Sequence, residues 1–219
     1  MYKMSLAFAL AILGGFTSMV YIAPQLIRTT FVQSSIDQGW YKVQKGPNQQ
    51  KVADTLARLR KRMYTLVSYC IDNGPKQWAK PLSRLNLDAI AESEENVGHV
   101  AYTVNKGEAI HFCIQKPQTQ QKTQKTPNKQ NTQKGGDESL SQPLETNMNT
   151  LMYVAIHEIA HVVTKSTGHT EEFWQNHARL LRLAEKAGVY KDVDYQANPT
   201  SYCGVRIETP SEQEKEETM

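Results

Sequence analysis

Three histidines and three glutamates fall within the stretch HEIAHVVTKSTGHTEEFW, residues 157–174. His157 and His161 lie four apart, and Glu158 directly follows the first. On a helix of 3.6 residues per turn, both imidazoles project from one face, one turn apart. Neutral imidazole nitrogen binds zinc at about 2.0–2.1 Å, so this pair can chelate one ion without distorting the backbone. Glu158, turned about 100° from His157, reaches a water in the open position of the ion rather than the ion itself. That is the physical content of the H-E-x-x-H pattern, and its chemistry is metal-assisted hydrolysis.

A hydrolytic zinc site needs a third protein ligand and one open position. After the helix comes TKSTGHT, where Gly168 permits a sharp turn and His169 follows at once. The turn brings His169 back towards the helical pair, which makes it the preferred third ligand. His177 is the rival, but it lies inside the next helix, which would have to cross directly over the ion. Glu171 and Glu172 are weaker rivals. Cys203 is read as a buried residue, since three histidines already fill the protein positions.

The elements that must hold these groups can be read from pattern. NTLMYVAIHEIAHVVTK is expected to form a helix over about Thr150–Lys165, with Asn149 as its N-cap. Val154, Ala155, Ile159, Ala160, Val162 and Val163 make it apolar nearly all round, so it belongs at the centre of the fold. Two histidines and a glutamate on such a helix are costly to bury unless something satisfies them. Thr170 caps a second helix with Glu171 and Glu172 in its first turn, favourable to the helix dipole. Phe173, Leu180, Leu181 and Leu183 would pack that helix on the first.

Upstream, Asn48 and Asn73-Gly74-Pro75 bracket a long helix in which Val52, Leu56, Leu59, Met63, Leu66 and Cys70 share one face. Its basic cluster Arg58, Arg60, Lys61 and Arg62 reads as a solvated face rather than a nucleic-acid patch. Leu85, Leu87 and Ala89 alternate and suggest a strand. Val100–Val104 and Ala109–Ile114 read as a hairpin about Asn105-Lys106-Gly107. His99 and His111, in or beside these strands, read as packing or surface residues.

Elsewhere, composition sets the organisation. Met4–Ile27 carries no charged residue, and about 20 helical residues span a hydrocarbon core of roughly 30 Å. It is expected to be an uncleaved transmembrane anchor, in competition with a cleaved signal peptide. Residues 28–47 read as a juxtamembrane linker, and the weak charge bias across the anchor leans towards a cytosolic domain. Lys116–Lys134 consists of Lys, Gln, Thr, Asn and Pro alone. With the Gly-Gly-Asp-Glu-Ser run behind it, residues 116–142 read as a disordered insertion, and the acidic residues 210–219 as a solvated tail. A net charge of +3 over 219 residues is too small to imply nucleic-acid binding; the five lysines of the insertion leave it open without indicating it. Cys70, Cys113 and Cys203 are odd in number and far apart. Three free thiols are expected, with one disulfide plus a free thiol as the competing arrangement.

The helix motif, with a glycine, a third histidine and an F-W pair behind it, resembles the active-site pattern of the WLM-domain zinc metallopeptidases, relatives of the Spartan-type proteases. AYTVNKGEAIHFCI is similar to the strand pair before that helix, and VDYQANPTSYCG to the ending of membrane-anchored versions encoded by large DNA viruses. The resemblance covers roughly Gln50–Ile114 and Thr146–Ile207. It implies an α+β, zincin-like fold with a small sheet, an edge strand beside the cleft and a central zinc helix. For residues 48–209 it implies proteolysis of a protein or peptide substrate. Zn2+ would be held by His157, His161 and His169, with Glu158 as general base on zinc-bound water. The edge strand could hold substrate by strand addition, and Tyr195 or Tyr202 could assist the oxyanion. No motif for binding a ubiquitin-like modifier and no dedicated DNA-binding tail is seen. The alternative is a non-enzymatic membrane protein with a vestigial or structural zinc site, in which Cys203 would be the fourth ligand.

Overall fold

A computed structural model describes residues 28–94, 100–114 and 147–208 of the chain. The first element is an antiparallel hairpin, β1 (Thr29–Gln33) and β2 (Trp40–Gln44). It occupies the region expected to be a linker. Tyr41 and Val43 point into the core, while Phe31 and Trp40 face outward. Side chains on the next helix, α1 (Gln49–Asn73), fasten the hairpin. Asp54 accepts from Ser34 Oγ and the Ser35 amide, both at 2.7 Å. Arg60 pairs with Asp37 at 2.7 Å and lies over the Tyr41 ring. Arg62 donates to the Val189 carbonyl. Two of the four cluster cations are therefore committed to structure.

The α1 helix behaves as its periodicity requires: all six apolar positions on the predicted face are buried. Val52 N–H donates to the Asn48 carbonyl, closing the first turn, and Gly74 ends the helix by donating to the Cys70 carbonyl at 2.8 Å. A short 3-10 turn, Lys76–Trp78, and helix α2 (Ala79–Arg84) follow. Where a strand was expected at Leu85–Ala89, Leu87–Ala89 forms a 3-10 turn instead, because the Asn86 side chain accepts from the Asp88 amide. Strand β3 is displaced to Ile90–Glu92.

The hairpin about Gly107 forms as expected, with β4 (Ala101–Val104) antiparallel to β5 (Ala109–Phe112). Asn105, Lys106 and Gly107 all have positive φ. A Cβ at position 107 would stand 3.0 Å from Leu85 Cδ1, so glycine is required for both conformation and space. β5 also pairs with β3 in parallel, giving the order β3-β5-β4. The buried Glu92 side chain accepts the Gln44 amide at 2.7 Å, linking the first hairpin to this sheet.

Helix α3 (Met148–Val163) runs through the centre of the fold, with Leu151, Met152, Ala155, Ile156, Ile159 and Ala160 wholly buried. Its cap is Asn147, which accepts from the Asn149 amide. Asn149 itself bonds Lys191. Helix α4 (Glu171–Lys186) packs beside it, capped by Thr170 as predicted. A final hairpin, β6 (Thr200–Tyr202) and β7 (Val205–Ile207), is tied to the end of β5 by a Cys113–Cys203 disulfide. Three free thiols were expected. Cys70 alone is free, and burial pushes its thiol up to about 12.

The expectation of a fold set behind a transmembrane helix, in a single-pass membrane protein, is corrected. Among the described residues no helix is long and apolar enough to cross a membrane. The most apolar helix, α3, has 16 residues, short of the approximately 20 that a bilayer requires. The longer α1 is charged along its outer face. Met4–Ile27, residues 116–142, His99 and the acidic tail lie outside the described residues. The described chain is α+β, with helices packed against small sheets.

Candidate metal centre

The apolar periphery of α3 buries the helix and leaves His157, Glu158 and His161 on the side facing β4 and the α3–α4 turn. Glu158 is buried, and His157 and His161 are half-buried. The turn supplies His169. Gly168 adopts φ +83°, and Glu172 closes the loop by accepting from the Lys165 and Ser166 amides and from Ser166 Oγ. Ser166 and Thr170 share a further hydroxyl bond of 2.7 Å. Glu172, expected as a first-turn acid of the next helix and a weak rival ligand, also sets the turn.

The three imidazoles converge. Nε2 of His157 and Nε2 of His169 lie 2.9 Å apart, and one ligand atom from each of the three residues falls within 4.8 Å of the others. A tetrahedral zinc would space such nitrogens about 3.3 Å apart. The donor set and its convergence therefore fit the ion. Phe173 lies against all three rings, with centroids at 4.8, 4.4 and 4.7 Å from His157, His161 and His169. Trp174 packs at 5.6 Å from His169. The F-W pair of the motif is the apolar wall of the histidine cluster.

Electrostatics favour neutral ligands. Burial, then the neighbouring His161 and His169, push His157 down to about 3. Burial, then His169 and Lys106, push His161 down to about 4. Glu158 moves the other way. Burial raises its carboxyl to about 7, opposed by the hydrogen bond from Thr103. Thr103 Oγ1 donates to Glu158 Oε2 at 2.8 Å. A carboxyl poised near neutrality suits proton transfer.

The cluster opens into a cavity of about 410 Å³ whose wall includes Tyr102, Thr103 and Lys106 of the β4–β5 hairpin. Lys106 Nζ donates to the carbonyls of His161, Thr164 and Ser166 at 3.0, 2.7 and 3.3 Å. It satisfies the His161 carbonyl in the last turn of α3, which has no partner within the helix, and two carbonyls of the segment just beyond. Neither Thr103 nor Lys106 was singled out from sequence. Their only signal was a place in the hairpin predicted to precede the motif helix.

The remaining candidates fall elsewhere. His177, the rival ligand, is buried; its ring meets that of His157 edge-on at 5.5 Å, stacks on Phe173 at 6.0 Å and lies edge-on to Tyr153. It is not part of the convergent group. Glu171 accepts from Gln175. His111 stacks on Tyr102 within the sheet. Tyr202 donates its hydroxyl to the Cys113 carbonyl at 2.7 Å, so that group is occupied. Tyr195 packs on Tyr153 and lines a different cavity, with Asn149 and Thr150. Neither tyrosine presents a hydroxyl to the histidines. Cys203, bonded to Cys113, offers no thiolate.

No family model matches the chain, and no solved structure matches it. Relatives occur among viral proteins described only as uncharacterized. One from Acanthamoeba polyphaga mimivirus is 29% identical over 185 residues, covering 82% of each chain. One from Invertebrate iridescent virus 6 is 30% identical over 118 residues, 53% of this chain and 54% of that protein. One from Invertebrate iridescent virus 3 is 29% identical over 117 residues, 53% of this chain and 55% of its own. The chain is thus similar to viral proteins, and to one of them over most of its length.

Proposed function

We propose that this chain is a zinc metalloendopeptidase that hydrolyses peptide bonds in protein substrates. The observation that carries the reading is the convergence of His157, His161 and His169 in one cavity with the Glu158 carboxyl. The resemblance of the motif to WLM-domain metallopeptidases points the same way. A zinc ion bound there would polarise a substrate carbonyl and lower the pKa of a bound water towards about 7.

The chain's own residues supply the rest. Glu158 is fixed through Oε2 by Thr103, which leaves Oε1 to take up a proton from water and return it to the departing amine. Phe173 and Trp174 keep one side of the histidines dry. Among the described residues the β4 strand pairs with β5 on one side only, and its residues Ala101, Tyr102 and Thr103 line the cavity. An extended substrate backbone can add to that open edge and lay its carbonyl beside Glu158.

A structural zinc site in a non-enzymatic protein would need a fourth protein ligand. Cys203, the residue available for it by sequence, is held in the disulfide.

The test is cleavage of an unfolded protein by the purified chain with and without chelator, beside Glu158→Gln. Glutamine keeps the shape of the side chain but accepts no proton at neutral pH. The expected variant is folded, zinc-loaded and at least about a hundredfold slower. Full activity in Glu158→Gln, or cleavage indifferent to chelator, would remove the peptidase reading.

A further inference from the structure

A second cavity, of about 380 Å³, adjoins the first at His157 and Glu158. The two share His157, Glu158 and Ala101 as their common wall. They differ in chemistry. The first is bordered by Thr103, Lys106, Thr167 and Gly168. The second is faced by Val100, Val154, Trp174, Tyr202, Val205 and Ile207. Tyr202 and Val154 are buried, so the apolar lining reaches into the fold. The charges at its mouth, Arg206 and Glu208, pair with each other, so neither sign is offered to a ligand.

We propose that the second cavity is a side-chain subsite for a bulky apolar residue adjoining the scissile bond, and that the β6–β7 hairpin sets its specificity. The inference rests on the peptidase reading for its occupant. A peptide strand laid on β4 passes both cavities, because β4 contributes Thr103 and Tyr102 to the first and Ala101, next to Val100, to the second. One side chain flanking the reacting carbonyl therefore meets Trp174, Val154 and Ile207, while the other side of the strand meets an open, polar region. A volume of this order is at the small end of ligand pockets, suited to one branched or aromatic side chain. The wall formed by Val205 and Ile207 comes from a hairpin of two three-residue strands. It is kept in place by the Cys113–Cys203 bond and by Tyr202 donating to the Cys113 carbonyl.

The experiment uses the full chain with zinc, an unfolded protein substrate and mass-spectrometric mapping of cut sites. Leu, Phe, Met or Ile is expected to be enriched at a single position beside the cut, with no matching preference on the other side. Ile207→Trp fills the cavity and should lower cleavage of sites with a bulky residue there by about 10–200-fold, sparing sites with Ala. Val205→Lys, at a half-exposed position that tolerates the change, should weaken the same preference. Binding gives a readout free of catalysis. In Glu158→Gln, a short peptide carrying Leu should shift the Trp174 indole resonance, assigned with Trp174→Phe, and the Asp-substituted peptide should not. Cut sites without side-chain preference, or an equal loss on all sites in Ile207→Trp, would overturn the subsite. So would a Leu peptide that leaves the Trp174 resonance in place. Absence of cleavage together with a Leu-specific shift would instead remove the peptidase reading and keep the subsite.

Discussion

Thr103 on the edge strand holds the carboxyl of Glu158 on the central helix through a 2.8 Å hydrogen bond. The strand that could receive a substrate backbone is thereby the same element that aims the proposed general base. Thr103→Val removes the hydroxyl and conserves the volume. The expected result is a folded protein with unaltered zinc content and kcat lowered by about tenfold, since a hydrogen bond to a charged group is worth about 1.5–3 kcal/mol. Loss mainly in KM would mean that Thr103 meets substrate instead of orienting Glu158.

The ligand assignment separates three histidines from a fourth nearby. His157→Ala, His161→Ala and His169→Ala should each lower zinc affinity by orders of magnitude, measured by competition with a chromogenic chelator. His177→Phe should keep stoichiometric zinc, because that ring, though edge-on to His157, lies outside the convergent group. Zinc lost in His177→Phe while His169→Ala retained it would reverse the assignment of the third ligand.

Lys106 closes the end of the same helix. Lys106→Met leaves three carbonyls of residues 161–166 without their ammonium donor. The side chain is exposed, so water replaces part of the loss, and the expected cost is about 1–2 kcal/mol. Zinc affinity should fall with it, since both His161 and the turn carrying His169 depend on that contact. A variant unchanged in both melting temperature and zinc affinity would show the lysine to be incidental.

Metal-free protein should weaken on acidification. His157 and His161 are depressed to about 3 and about 4, while unfolded histidine titrates near about 6.5. As pH falls below that value the unfolded chain takes up two protons that the folded chain refuses, so stability falls with pH. Glu158 opposes this. Raised to about 7, it keeps a proton in the folded state that the unfolded state releases above about 4.5, which favours folding at lower pH. Two protons outweigh one. The urea midpoint of the chelator-treated chain should therefore be lower at pH 5 than at pH 7, and the fall between the two should be larger in Glu158→Gln. A midpoint rising towards pH 5 would contradict these shifts.

Residues that act through local spacing were legible, and those that act across the sheet were not. His157 and His161 are related by one helical turn, and His169 by a glycine turn just beyond, so periodicity and φ chemistry suffice. Thr103 and Lys106 reach α3 from 55 or more residues away, and a threonine in a strand or a lysine in a turn carries no mark of its destination. The first hairpin was misread as a linker for a related reason. Its aromatic residues Phe31 and Trp40 face outward, and the groups that fasten it, Asp54 and Arg60, lie on the next helix and read as ordinary surface charge. The α1 helix was legible throughout, because burial of one face repeats along it. The disulfide was not, because its cysteines stand 90 residues apart and only the packing of β6 against the end of β5 brings them together.

That bond should also matter thermodynamically. Closing a loop of 90 residues reduces the entropy of the unfolded chain by an amount worth about 4–5 kcal/mol in the chain-entropy treatment, with about 2–4 typical in practice. The double variant Cys113→Ser, Cys203→Ser should melt about 5–15 °C lower than the parent. An unchanged melting temperature would mean that the hairpin is held by its packing and the Tyr202 hydrogen bond alone.

The same cross-link turns part of the chain into a covalent ring. Its circumference runs from Cys113 to Cys203 and includes both motif helices, all three convergent histidines and the whole Lys/Gln/Thr-rich stretch. A single cut between residues 114 and 147 opens the ring without releasing either piece. A nicked molecule would still keep β4 and its Thr103 covalently joined to the helix that carries Glu158. On a gel run without reductant it should migrate as one species, and with reductant as two. Clipping in that stretch would thus leave the centre assembled for as long as one sulfur–sulfur bond survives.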